Sequence, residues 1–152
     1  MTRILLTIRS MTENRQKENN MERYYIDWCG NHPESLKDHR VYLSYPISGT
    51  DENEQYVKAL MWGDMLRNEG FREVFNPLRF AKAVGWTFDK PAAECMRVDL
   101  KMLLNDDTKV LCLVECENEE FSDWRTSKGC QCEKTVADSC GHAIIKIRKK
   151  DV

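Results

Sequence analysis

The run Lys109-Val-Leu-Cys-Leu-Val114 constrains this chain more than any other segment. It is continuously apolar where a half-solvated strand would alternate, so it reads as a strand covered on both faces, the state of strands in parallel sheets flanked by helices. Arg40-Val-Tyr-Leu-Ser-Tyr45 and Ala143-Ile-Ile-Lys-Ile147 read as further strands, and Phe71-Arg-Glu-Val-Phe-Asn-Pro77 as a shorter one ending in Asn-Pro. Between them lie helical stretches. Residues 52–69 carry Tyr56, Leu60, Met61 and Leu66, with Val57 and Trp62 beside them, as core positions up to a C-terminal Gly70. Residues 91–105 start on Pro91 and place Cys95, Met96, Leu100, Leu103 and Leu104 on an apolar face, leaving Arg97 and Asp99 off it. A last helix runs from Ser127 to Gly141. Alternating strands and helices predict an α/β fold: a doubly wound, mainly parallel sheet of four to five strands with helices on both faces, flavodoxin- or Rossmann-like.

At 152 residues and 41% hydrophobic content the chain fits one domain with one core. Residues 39–152 carry the α/β pattern. Residues 1–38 are polar and partly irregular, with Tyr24-Tyr-Ile-Asp-Trp28 a short apolar patch, and read as an extension, flexible or covering an edge. Gly85-Trp86 sits in a loop-rich excursion that reaches Lys90 and could close over a pocket.

Charge excludes some partners. Lys and Arg total 23 against 25 Asp and Glu, so a formal charge of −2 gives no general attraction to nucleic acid or acidic membranes. No stretch approaches the ~20 apolar residues of a membrane span, and the opening Met1–Arg9 is too short for a signal h-region. Seven cysteines, an odd number without secreted spacing, read as reduced thiols, and a cytoplasmic protein is expected. Cys130-x-Cys132 with Cys112 and Cys116 is read as buried thiols, since residues two apart on a helix diverge and no His has ligand spacing. No metal and no cofactor is expected, and no dinucleotide or Walker loop appears.

The chemistry concentrates in Ser127-Lys-Gly-Cys-Gln-Cys-Glu133. Ser127 is an N-cap, Lys128 adds charge, and Gly129 lets a ligand approach a first turn whose free N–H groups favour anions. Glu133 lies about 9 Å further along the axis at 1.5 Å per residue, where a carboxylate can meet the sugar of a nucleotide whose phosphate sits at the cap. The loop Pro46-Ile-Ser-Gly-Thr-Asp-Glu-Asn53 leaves the carboxyl end of a strand, where ligands bind in open α/β sheets. Glu133 and Asp99 together suit N-glycosidic cleavage: one carboxylate attacks or stabilises C1′ while a second acid assists the departing base. The competing reading from spacing alone pairs Glu133 with Lys134 or Lys128, and Asp99 with Arg97, on solvated faces.

Val41-Tyr-Leu-Ser-Tyr-Pro-Ile-Ser-Gly49, Met96-Arg-Val-Asp-Leu100, Asp107 before the apolar strand, and Ser127 to Glu133 occur in an order that resembles the nucleoside 2-deoxyribosyltransferase-like superfamily over about residues 40–147. The resemblance implies Glu133 as nucleophile, Asp99 as the aspartate handling the base, and Tyr42 beside the glutamate. It further implies substrate contacts from Ser44, Ile47, Ser48, Gly49, Arg97, Ser127, Lys128 and Gly129. A serine at position 127 matches the monophosphate hydrolases of that superfamily, where free-nucleoside transferases carry an acidic residue. Two positions depart from the pattern. Tyr45 stands where a small residue is usual, and no loop arginine is present, leaving Arg97, Arg125 or Lys128 to supply charge. The expected activity is an N-glycosidase acting on a (deoxy)nucleoside 5′-monophosphate; the alternatives are a 2-deoxyribosyltransferase exchanging bases and a non-catalytic nucleotide-binding module. The implied partner is a small nucleotide or nucleoside, and the implied assembly a homo-oligomer, dimer or larger.

Overall fold

The computed structural model describes residues 21–47, 51–87, 90–117, 119 and 122–151. Five strands form one mixed sheet: β1 (Tyr24–Asp27), β2 (Arg40–Ser44), β3 (Glu73–Phe75), β4 (Thr108–Glu115) and β5 (Ala143–Lys149), in the order β1-β5-β4-β2-β3. All neighbours are parallel except β1, which runs antiparallel to β5. Four α-helices, α1 (Glu52–Glu69), α2 (Pro77–Ala83), α3 (Ala92–Leu103) and α4 (Lys128–Ser139), alternate with the strands.

Pleating divides the apolar strands between two cores. Val41, Leu43, Val110, Cys112, Val114, Ile145 and Ile147 face α1, packing with Ala59, Trp62 and Leu66. Their neighbours Tyr42, Leu111 and Leu113 face the other way and meet Leu103 of α3 and Ala137 of α4. Every residue from Val110 to Val114 is inaccessible to solvent, which is why that segment cannot alternate. Each large side chain so buried contributes roughly 1.5–3 kcal/mol.

Helix boundaries follow local chemistry. Asp51 accepts from the Asn53 and Glu54 N–H groups at the start of α1, and Gly70, at φ 114°, ends it in the left-handed conformation that glycine adopts without strain. Within α1, Tyr56 is half-buried and packs against the core, whereas Val57 is 58% exposed and is not the core position expected from spacing. On α3, Leu104 is likewise solvent-facing at 55%, whereas Asp99 is buried: it lies four residues before Leu103, on the inward stripe. His142 sends its side chain to the carbonyl of Leu103, 2.7 Å away, linking the start of β5 to the end of α3; its backbone N–H closes α4 on Ala137.

Tyr24–Asp27 takes the edge-covering alternative: it pairs with β5, with Ile26 opposite Ile147, and covers an edge that would otherwise expose unpaired backbone groups. One region differs from expectation. Pro77 does not end order after β3; it opens α2 from the first helical turn, where its missing N–H is no loss.

Candidate functional site

The sheet changes direction at β2: β3 lies on one side of it and β4 on the other. A crevice outside the carboxyl ends of the strands at such a reversal is the usual ligand position in open α/β sheets. A cavity of about 370 Å³ lies there, between the ends of α1, α2, α3 and α4.

Two buried carboxyl groups from different helices share it. Glu133, 6% exposed, comes from the second turn of α4, and Asp99, 7% exposed, from α3. Ser44, at the end of β2, donates to Glu133 Oε1 at 2.9 Å. Burial pushes Glu133 up to about 7, opposed by the hydroxyls of Tyr42 and Ser44 and reinforced by the charge of Asp99. Asp99 also rises to about 7, through burial alone, and its Oδ1 is buried without a hydrogen-bond partner. The Tyr42 hydroxyl is buried beside Glu133 without a partner at hydrogen-bonding geometry; burial, then Glu133 and Asp99, raises it well above the ordinary phenol range. It is a neutral hydroxyl at any physiological pH.

Ser127 caps α4 by accepting the Cys130 N–H at 3.3 Å, which leaves its own hydroxyl hydrogen and the N–H groups of the first turn for a ligand. Gly129 sits on the cavity wall, where a Cβ would come within 3.1 Å of Met96 Cε, so α3 and α4 approach closely at this point. Ile47 lines the cavity as well. Glu133 is not solvated and is not paired with Lys134, which instead binds Asp138 at 2.7 Å, so the surface ion-pair reading fails for Glu133.

Tyr45 is buried and forms part of the cavity floor. Its hydroxyl donates to Asn76 Oδ1 and accepts the Leu78 N–H at 3.0 Å, while Asn76 donates to the Ala59 carbonyl at 2.8 Å. The large residue that departs from the superfamily pattern therefore braces β2 against α1 and the start of α2.

Other expected residues lie elsewhere. Arg97 and Lys128 are exposed and outside the cavity wall. Arg125 is engaged with Asp123 at 2.7 Å and with Glu117 at 3.6 Å. Ser48 and Gly49 fall outside the described residues. Conversely, sequence reading assigned no site role to several wall residues, among them Tyr56, Lys82 and Lys90, while Trp86 lies in the excursion expected to close over a pocket. Only the Gly85-Trp86 excursion hinted at them, because their convergence depends on how α2 folds back.

A third buried carboxylate stands outside the cavity wall. Glu115, at the end of β4 and 7% exposed, accepts Trp124 Nε1 at 2.9 Å and meets Lys146 at 3.1 Å and Arg148 at 3.0 Å. Burial opposes its charge, but these donors outweigh it and hold its pKa below the ordinary range. All seven cysteines are free; Cys112, Cys116 and Cys130 are buried as read, but Cys132 is exposed, because residues two apart on a helix diverge and only one of them can face inward. Among the described residues, no group of three His, Cys, Asp or Glu side chains is placed to hold a metal, and no helix is long and apolar enough to cross a membrane.

No curated protein and no solved structure matches the chain. One family profile, described as a domain of unknown function, DUF4406, matches residues 39–146, from the residue before β2 into β5. That span includes both cavity carboxyls and the cap of α4, and the chain belongs to the DUF4406 family.

Proposed function

We propose that this protein is an N-glycosidase that releases the base of a (deoxy)nucleoside 5′-monophosphate through a covalent intermediate on Glu133. The observation that carries the reading is the pair of buried carboxyls, Glu133 and Asp99, in one cavity with unequal surroundings. Two carboxyls whose environments differ can divide nucleophile and acid between them. Hydroxyls of Ser44 and Tyr42 favour charge on Glu133, whereas nothing but burial acts on Asp99. In this reading Glu133, which has the hydroxyl donors, is the ionised partner, and Asp99 carries the proton of the pair.

In the first step a Glu133 carboxylate oxygen attacks C1′, and the electrons of the C1′–N bond pass to the base, which takes the proton of Asp99. In the second, water attacks C1′ and gives its proton to the Asp99 carboxylate, and Glu133 leaves as carboxylate. The products are the free base and a pentose 5-phosphate. Phosphate placed at the start of α4 accepts the Ser127 hydroxyl and the N–H groups of the first turn.

The test is incubation with nucleosides and their 5′-monophosphates, with and without a second free base, followed by chromatography for released base. Release from monophosphates without an acceptor base supports the hydrolase. Release only with an acceptor transfers the reading to base exchange, and binding without release reduces it to a nucleotide-binding module. Mass spectrometry of the Asp99→Asn protein should find a pentose phosphate on Glu133; a turnover-competent protein in which no such adduct accumulates on that residue counts against the covalent route.

A further inference from the structure

The proposed site has a charge deficit. A phosphate monoester carries about −1.5 to −2 at neutral pH, whereas a helix N-terminus supplies roughly +0.5. The cavity itself adds negative charge through Glu52 and Glu133. More than one full positive charge is needed to hold the ligand.

Among the described residues lining the cavity, the only cations are Lys82 and Lys90. Both ammonium groups lie on aromatic faces of the same wall. Lys82 Nζ is 4.1 Å from the centre of the Tyr56 ring, and Lys90 Nζ is 4.8 Å from that of Trp86. Lys90 also meets Glu94, at 3.5 Å, a carboxylate that is itself largely exposed. Trp86 is fixed edge-on against Phe80, which packs on Phe75 at the end of β3, and its backbone N–H bonds to the Ala81 carbonyl at 2.8 Å. Tyr56 packs against the core. Both rings are thus held, while each lysine stem is long and rotatable.

We propose that Lys82 and Lys90 select a phosphate-bearing ligand in this cavity, and that Tyr56 and Trp86 hold the two ammonium groups on their ring faces until that ligand arrives. This deepens the proposed function and rests on it. A cation over an exposed ring is held more weakly than one bonded to phosphate, so the exchange runs toward the ligand. It also uncovers two aromatic faces, on which a base can stack. One movement meets both ends of a nucleotide. Neither a free base nor inorganic phosphate offers the same combination.

The test measures binding by calorimetry in the full chain carrying Glu133→Gln, so that turnover does not intervene, with Lys82→Gln, Lys90→Gln or both added. The ligands are a nucleoside 5′-monophosphate, its nucleoside, 2-deoxyribose 5-phosphate and inorganic phosphate. Each lysine substitution should weaken the monophosphate about tenfold and the pair about 100-fold, with the nucleoside changed less than about twofold. The sugar phosphate should lose affinity alongside the monophosphate, and arginine at either position should restore it. An unchanged monophosphate-to-nucleoside ratio in the double variant overturns the inference. A parent protein without monophosphate preference also overturns it; base release by the unsubstituted protein, measured in parallel, then decides separately whether the glycosidase chemistry stands.

Discussion

Glu115 and Glu133 are equally hidden from solvent, at 7% and 6% exposure, yet they behave in opposite ways. Around Glu115 the chain gathers an indole N–H and three cations, Lys146, Arg148 and, at 3.9 Å, Arg125, and its pKa falls below the ordinary range. Around Glu133 it supplies hydroxyls and a second carboxyl, and the pKa rises to about 7. Exposure is the same, but Glu133 lies deeper within the protein and has no cation among the described residues to offset its desolvation, whereas Glu115 has several donors. Glu115 fastens β4 to β5 and to the turn preceding α4, whereas the Glu133–Asp99 pair retains unspent proton affinity, which is what acid and base chemistry near neutrality requires.

The sharpest way to break this contrast is Glu133→Gln. Loss of the nucleophile should lower base release by at least about 10³-fold, read by chromatography, with little change in unfolding. In the unsubstituted protein the rate should peak near pH 7. It falls on the acid side as Glu133 is protonated and on the alkaline side as Asp99 ionises, both rising to about 7. A rate that climbs steadily to pH 10 would remove Asp99 as the acid.

Glu115→Gln should do the reverse: activity changes only through the fold, and stability at pH 7 drops by about 2 kcal/mol, because Lys146 and Arg148 lose their shared acceptor. Since the Glu115 pKa is depressed, its contribution is present above the ordinary glutamate range and disappears as pH falls through the lowered value. Urea titrations at pH 7 and pH 3 test this; an equal deficit at both would deny the charge a role.

Asp99→Asn has the opposite sign. The raised pKa means that the native state prefers the protonated acid, so the wild-type contribution is full below about 4 and is lost as pH rises towards about 7. Asparagine does not titrate. The variant should therefore match wild type at pH 4 and exceed it by ~1–3 kcal/mol at pH 8.5 in the same titrations. A variant that is less stable throughout would mean that Asp99 has a structural partner.

The smallest effect belongs to Ser127→Asp. Aspartate keeps the cap of α4 and should leave stability within ~0.5 kcal/mol, but it sets a negative charge against a phosphate and should weaken monophosphate binding by ~1–3 kcal/mol, read calorimetrically, while sparing the nucleoside. Equal weakening of both ligands would displace phosphate from the start of α4.

Much of this was legible beforehand, for identifiable reasons. Helix α1 follows the expected 52–69, because Asp51 and Gly70 are strong local signals, and β4 extends the run 109–114 by one residue at each end. The nearness of Ser127 and Glu133 to one cavity follows from helix geometry within α4. Tyr24–Asp27 was harder to assign: four residues alternating weakly on a sheet edge carry no period distinct from a surface patch. Helix α2 was hidden by Asn76-Pro77, a dipeptide that ends one element and opens the next with equal ease. Asp99 reads as lying off its apolar face by residue type, yet by position it falls on the inward stripe, and a carboxyl there is the informative exception. Lys82 and Lys90 carry no motif at all, since what unites them is the path of the chain around Trp86.

The contact between Gly129 and Met96 has a stereochemical consequence. Glu133 and Asp99 stand on separate helices, so the distance between them is set by how α4 lies on α3, and at the cavity wall the end of Met96 fits against the bare Cα of Gly129. Double displacement at an anomeric carbon calls for carboxyls about 5 Å apart, whereas room for a water between them, at roughly 6.5–9.5 Å, gives single displacement with inversion. Under the proposed chemistry, the hand of the released sugar would follow from that helix crossing, one turn away from the carboxylate that would form the bond.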